Sequence, residues 1–184
     1  MKNSAVFIDR DGTLIEEANY LVRPEQLKLF PFAAEAIRLL NENGFLVLLI
    51  TNQSGIGRGF FDENALREIH EKLDSDLAEQ NAKIDQIYFC PHSPNDDCDC
   101  RKPKTGMIRQ ATGDFSIDLE NSWTIGDKTI DVETGFNAGT KTALVLTGYG
   151  IAEKEKLNEK PDLVAENLLE AAKIICLPKN RNFK

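Results

Sequence analysis

Four short clusters in this chain set carboxylates, cations, amides and thiols at spacings that chemistry can use. The first is Phe7-Ile8-Asp9-Arg10-Asp11-Gly12-Thr13-Leu14. Two carboxylates two residues apart at the mouth of an apolar run repel each other, which is costly unless a cation or a reaction uses them. Mg²⁺ suits the pair, because it takes hard oxygen ligands from one or two carboxylates together with substrate phosphate. An aspartate held there can also be a nucleophile that carries an aspartyl phosphate. The plain alternative is a solvated acidic loop in which Gly12 serves the turn. The second cluster is Gly126-Asp127-Lys128-Thr129-Ile130-Asp131. Asp127 could complete a divalent-metal site with Asp9, while Asp131 could orient Lys128 or a metal-bound water from behind. Equally, Asp127 or Asp131 could be the N-cap of a helix over 132–138.

The third cluster runs Thr51-Asn52-Gln53-Ser54-Gly55-Ile56-Gly57-Arg58-Gly59. Hydroxyl, amide and backbone N–H donors gathered after an apolar run can hold phosphate oxygens, and the glycines allow close backbone approach. The pattern matches neither Gly-x-Gly-x-x-Gly nor a Walker A loop, so it gives no ground for a nucleotide site. Arg101-Lys102-Pro103-Lys104 adds cations that could offset phosphate charge, or could be a solvated face. The proline disfavours helix at Lys102 and so favours a defined local geometry. The fourth cluster is Cys90-Pro91-His92 followed by Cys98-Asp99-Cys100. Three thiolates and an imidazole make a complete tetrahedral set for Zn²⁺, and four protein ligands mark a structural ion. Packed or disulfide-forming cysteines are the alternative. Three of the four cysteines and one of the two histidines fall within this eleven-residue stretch, which favours zinc. The polar loop 93–97 between them lacks a core of its own, so metal would supply its order.

These clusters need elements to bring them together. Residues 5–8, 45–50 and 122–125 are short continuous apolar runs, as expected of strands buried on both faces of a parallel sheet, and 86–89 and 142–146 are two further strand candidates. Helical periodicity covers 32–43, with Ala33, Ala36, Ile37 and Leu40 on one face and a stop at Gly44. It also covers 63–79, with Leu66, Ile69, Leu73 and Leu77 in a stripe after Asp62 as N-cap. Alternating strands and helices predict an α/β fold with a doubly wound, Rossmann-like parallel sheet. Ligands bind beyond the carboxyl ends of such strands. Asp9, Thr51 and Asp127 each follow an apolar run, so the sheet should gather all three at one edge. Three residues are expected to stand outside any site: Cys176 and Trp123 as core, and His70 as a partly packed surface residue. The polar tail 178–184 is expected to fray.

With 22 Lys and Arg against 30 Asp and Glu, the 184-residue chain carries a formal charge of −8. That balance argues against nucleic-acid binding, which needs a basic face, and leaves room for a small anionic substrate held by a few focused cations. The longest apolar run falls far short of the roughly 20 residues of a membrane span. Residues 1–9 reach Asp9 before a signal-peptide core could form. The expectation is a cytoplasmic, single-domain protein over 1–184, compatible with a monomer, with its thiols reduced.

In their order, the clusters resemble the haloacid dehalogenase-type phosphatase superfamily. Asp9-x-Asp11-Gly12-Thr13 is similar to its first motif, Thr51 to its second, Lys102 to its third, and Gly126-Asp127 with Asp131 to its fourth. The zinc loop 90–100 resembles that of the histidinol-phosphatase and heptose-bisphosphate phosphatase branch, which lacks a large cap domain. The resemblance implies that Asp9 is the nucleophile and a Mg²⁺ ligand. Asp11 would be the acid and base, giving its backbone carbonyl to the metal, and Asp127 the remaining Mg²⁺ carboxylate. Thr51 and Lys102 would steady the transferring phosphoryl group. The stretches 51–59 and 100–107 look more like those of the D-glycero-D-manno-heptose 1,7-bisphosphate 7-phosphatases. This implies substrate contacts at Glu17, Ala18, Asn19, Tyr20, Thr51, Asn52, Gln53, Ser54, Arg101, Lys102 and Lys128, with Arg101 and Lys128 serving a second phosphate. The short zinc loop is also found in many histidinol-phosphate phosphatases, the nearest enzymatic alternative. Removal of a 3′-phosphate from nucleic acid, and a silent zinc-stabilised binding module, are more distant ones.

Overall fold

Apolar strands with no polar face must be covered on both sides, and that requirement organises the molecule. The computed structural model describes residues 2–177, so the tail 178–184 lies outside the described residues. Strands β1 (Ala5–Ile8), β2 (Leu46–Asn52), β3 (Gln86–Cys90), β4 (Trp123–Gly126), β5 (Lys141–Val145) and β6 (Leu163–Ala165) form a parallel sheet in the order β3-β2-β1-β4-β5-β6. Around it lie α1 (Ala33–Glu42), α2 (Ser54–Gly57), α3 (Glu63–Ala78), α4 (Gly106–Asp114), α5 (Thr129–Ala138), α6 (Gly150–Lys154) and α7 (Leu168–Ile175). The chain winds outward from β1 to β3, returns to the other flank of β1, and winds outward again through β4 to β6. The reversal places a crevice beyond the carboxyl ends of β1 and β4, where ligands of such sheets bind.

Pleating divides the core in two. Val6 and Ile8 of β1 point with Val47, Leu49 and Ile125 toward α1, α3 and α7, while Ala5 and Phe7 point with Leu48 and Ile50 toward α4. The stripe predicted for 63–79 is the buried face of α3: Leu66, Ile69, Leu73 and Leu77 are all buried. Burying each such side chain contributes about 1.5–3 kcal/mol, enough to seat the helix on the sheet. Asp62 caps α3 as expected, accepting the Ala65 N–H at 2.9 Å. After α1, Gly44 takes φ +78, a conformation that favours glycine, and the chain reverses into β2.

The structure amends several expectations. β2 begins at Leu46 rather than Phe45 and continues through Thr51 and Asn52, which pair with Phe89 and Cys90 of β3. Thr51 is therefore a strand residue, kept in the ladder by that pairing. α5 starts at Thr129 with Lys128 as its N-cap, so neither Asp127 nor Asp131 is the N-cap, although Asp131, at the third helical position, accepts the Lys128 N–H. β6, α2, α4, α6 and α7 add to the elements anticipated. Cys176 is half-buried and packs against the larger core, as does Trp123. Among the described residues, no helix is long and apolar enough to cross a membrane.

Candidate active site

Asp9 leaves the end of β1 and Asp127 the end of β4, adjacent strands whose register pairs Ile8 with Ile125. The Asp9 N–H donates to the Ile125 carbonyl at 2.9 Å, so the ladder continues one step into the site. Both carboxylates are buried, and a ligand oxygen from each lies within 4.8 Å of one on Asp131. Three anions in so small a volume demand a cation. Lys102 supplies one: its ammonium donates to Asp9 Oδ1 at 2.8 Å, Asp131 Oδ1 at 2.6 Å and the Ile50 carbonyl at 3.0 Å. Burial works against that charge, but Asp131 and Asp9 outweigh it and hold the ammonium above the ordinary lysine range. Asn52 fixes the lysine from behind, its side chain accepting the Lys102 N–H at 3.0 Å and donating to the Lys102 carbonyl at 3.3 Å.

Asp131 holds Lys128, and it does more than the sequence suggests. It secures Lys102, and its second oxygen accepts the Lys128 backbone N–H at 3.1 Å at the start of α5. Asp127, by contrast, forms no salt bridge among the described residues. Its Oδ2 accepts the Tyr149 N–H at 2.8 Å, while its Oδ1 is buried with no hydrogen-bond partner. Burial and then repulsion from Asp9 push its carboxyl up to about 7. Gly12 and Gly148, both at positive φ, press against this carboxylate, and a Cβ at either would collide with it. An orphaned buried oxygen beside a second carboxylate is a donor set that fits a hard divalent cation.

Asp11 lies at the pocket side of this cluster. Arg10, 1% exposed, grips it with two parallel bonds, Nε to Oδ2 at 3.1 Å and Nη2 to Oδ1 at 3.0 Å. Gln53 adds a third from Nε2 to Oδ2 at 3.1 Å and also donates to Thr51 Oγ1 at 2.8 Å. Burial opposes the charge of Asp11, yet Arg10 outweighs it and holds the carboxyl below its ordinary range. Above lies a pocket of about 280 Å³, lined by Asp11, Glu17, Asn19, Tyr20, Asn52, Gln53, Ser54, Arg101 and Lys128 among others. Of the expected substrate contacts, Ala18, Thr51 and Lys102 do not line it; Thr51 and Lys102 are buried beneath. Lys128 pairs with Glu17 at 3.1 Å and sits 4.8 Å from the centre of the Tyr149 ring. Tyr20 meets Phe60 edge to face at 4.7 Å. Sequence reasoning passed over Arg10 and Phe60. Arg10 reads as one more charge in an acidic turn, and Phe60 lies in no motif.

Beside the pocket, Cys90 Sγ, His92 Nδ1, Cys98 Sγ and Cys100 Sγ converge within 4.8 Å of one another. Cys90 and Cys98 are 3.7 Å apart, Cys90 and His92 3.6 Å, and His92 and Cys100 3.2 Å. The first two separations are those across a tetrahedral ion with bonds of about 2.0–2.3 Å, while that between His92 and Cys100 and that between Cys90 and Cys100, at 3.0 Å, are tighter. The thiols form no disulfide. The loop is tied to the pocket: the Pro91 carbonyl accepts from Gly57 N–H at 2.8 Å and the His92 carbonyl from Arg101 Nη1 at 3.3 Å.

Comparison with known proteins agrees with this geometry. A HAD-hydrolase-like family profile matches residues 99–171. The D-glycero-beta-D-manno-heptose-1,7-bisphosphate 7-phosphatase of Pasteurella multocida is 40% identical over 127 residues, 66% of this chain and 69% of that one. Its Haemophilus influenzae counterpart is 43% identical over 122 residues, 63% of this chain and 66% of the relative. The crystal structure of D,D-heptose 1,7-bisphosphate phosphatase from B. bronchiseptica, complexed with magnesium and phosphate, superposes with a TM-score of 0.89 at 33% identity, covering 94% of this chain and 97% of that one. This chain belongs to the HAD-like phosphatases. That family consists of phosphoric monoester hydrolases.

Proposed function

We propose that this protein hydrolyses the C7 phosphate of D-glycero-D-manno-heptose 1,7-bisphosphate through an aspartyl phosphate on Asp9. The observation that carries the proposal is a division of cations. Lys102 is buried against Asp9, where a phosphoryl group would be transferred, while Arg101 and Lys128 line the pocket, where a second phosphate can be met. Asp9, Asp127 and the Asp11 carbonyl would hold Mg²⁺, which supplies charge neutralisation to the oxygens of the transferring group. Cys90, His92, Cys98 and Cys100 would hold a structural Zn²⁺. The free thiols suit a reducing cytoplasm.

In the first half-reaction a carboxylate oxygen of Asp9 attacks phosphorus, the bond from phosphorus to the C7 oxygen breaks, and the leaving alkoxide takes a proton from Asp11. Arg10 favours the carboxylate of Asp11 in the free enzyme, and the negative charge of a bound phosphoryl group opposes Arg10 and raises the carboxyl toward protonation. In the second half, water attacks phosphorus, gives its proton to Asp11, and the bond from phosphorus to Asp9 breaks, releasing phosphate. Lys102, anchored by Asp131 and the Ile50 carbonyl, keeps its charge fixed beside Asp9 throughout. Nothing has to reorganise to neutralise the transfer, as phosphoryl transfer requires.

The test is Mg²⁺-dependent phosphate release, with kcat/KM for heptose 1,7-bisphosphate and for histidinol phosphate measured side by side. A preference of about a hundredfold for the bisphosphate, near 2.7 kcal/mol of differential transition-state binding, is expected. A preference for histidinol phosphate would overturn the substrate while leaving the chemistry in place.

A further inference from the structure

His70 has no part in the reaction as set out above, yet it touches the machinery from behind. It projects from the middle of α3, half-buried, with its ring 6.3 Å from that of Phe89 at an interplanar angle of 61°. Its Nε2 lies 3.4 Å from Arg10 Nη1. An arginine only donates, so this contact requires a lone pair on Nε2 and leaves the ring proton on Nδ1. Burial, followed by the Arg10 charge, drives the imidazole down to about 3, so the acceptor persists at any working pH. Arg10 then spends Nε and Nη2 on Asp11 and Nη1 on His70. The fork is held on both sides: one edge of the guanidinium faces the catalytic carboxylate and the other rests on the helix.

We infer that His70 is a positioning residue for the phosphatase reaction, anchoring the Arg10 guanidinium so that it fixes the Asp11 carboxylate toward the substrate pocket. A carboxylate that first gives a proton to the leaving oxygen and later takes one from water must be aimed at both, and a misplaced acid loses much of its effect. Gln53 alone would hold only one oxygen of Asp11. The inference rests on the reading of Asp11 as acid and base.

The experiment exploits leaving groups. An alkyl phosphate needs the proton from Asp11, whereas 4-nitrophenyl phosphate, with its stable phenolate, needs it far less. Wild type, Asp11→Asn, His70→Leu, His70→Gln and Arg10→Lys are compared on heptose 1,7-bisphosphate and on 4-nitrophenyl phosphate at saturating Mg²⁺. Read as kcat/KM, which reports the phosphorylation of Asp9 and excludes the later water attack that both substrates share, Asp11→Asn should lose at least about 100-fold on the alkyl substrate and less than about tenfold on the aryl one. His70→Leu, which keeps the apolar packing and removes the acceptor, should lose about tenfold in alkyl kcat/KM and under about threefold in aryl kcat/KM. His70→Gln restores an acceptor and should stay within about threefold of wild type on both. Arg10→Lys, which keeps the charge and loses the fork, should repeat the selective loss. An unchanged alkyl-to-aryl ratio in both His70→Leu and Arg10→Lys would overturn the inference, as would equal losses in His70→Leu and His70→Gln. Were Asp11→Asn to lower kcat/KM equally for both substrates, the role of Asp11 as acid would fall and the inference with it.

Discussion

The acidic trio and the thiol loop are both candidate metal sites, and they are built in opposite ways. Asp9, Lys102, Asp127 and Asp131 come from distant parts of the chain and meet because β1 and β4 are neighbours in register. Cys90, His92, Cys98 and Cys100 lie within one short stretch whose intervening residues are mostly exposed. The first site is prepaired, with Lys102 neutralising part of its charge whether or not a divalent ion is bound. The second has no internal counter-ion and little apolar burial, so its order depends on what the four side chains hold. Metal at the acidic site should therefore serve turnover, and metal at the thiol site should serve stability.

The widest separation between the two is expected from single substitutions. Asp9→Asn should reduce phosphate release by more than about 10,000-fold while shifting the melting temperature little, since the amide still accepts from Lys102. Residual turnover within about tenfold of wild type would show that another group attacks phosphorus. Cys98→Ser should do the reverse. Weakening a structural ion by about 3–5 kcal/mol would lower the melting temperature by roughly 6–20 °C, with activity falling only as Arg101 and Lys102 lose their backing. Metal analysis should find about one zinc per wild-type chain and less in the variant. Protein purified without chelators that holds no zinc would remove the thiol site from the comparison.

How readily each site could be read from sequence follows from the same contrast. The thiol loop is local, so spacing alone announced its four side chains. The strand ends were nearly as legible, because a strand buried on both faces is a continuous apolar run and the next polar residue marks its mouth. Asp9 and Asp127 were found that way. Pairings across the fold were not legible. The spacing links Asp131 to Lys128, whose backbone N–H it accepts, but no spacing in the sequence links it to Lys102, 29 residues away, which its other oxygen holds. Arg10 between two aspartates reads as solvated charge, yet it is buried and faces α3. His70, beside the apolar stripe of its helix, reads as a partly packed surface residue, and it is half-buried; what the sequence does not show is its arginine partner, 60 residues away. β6, three residues at the sheet edge, is too short to carry a periodic signal.

The finest distinction between the two sites is how protons compete with metal. The Asp127 carboxyl is raised from 3.8 to about 7, so between those values the folded protein holds a proton that the unfolded chain releases. Stability of the metal-free protein should fall as pH rises through that window and level off above about 7. Mg²⁺ needs the carboxylate, so its stabilising effect should run the other way, small near pH 5 and full near pH 8. Melting curves with and without Mg²⁺ at the two pH values should differ in the metal-induced shift by about 2–5 °C, the larger shift at pH 8. Asp127→Asn is the sharper form of the test. The amide keeps an acceptor for the Tyr149 N–H and carries no charge for Asp9 to repel. The metal-free variant should therefore melt higher than wild type at pH 8, and Mg²⁺ should add nothing at either pH. A variant that still gained stability from Mg²⁺ would show that the ion sits away from Asp127, and the orphaned oxygen would then need another partner.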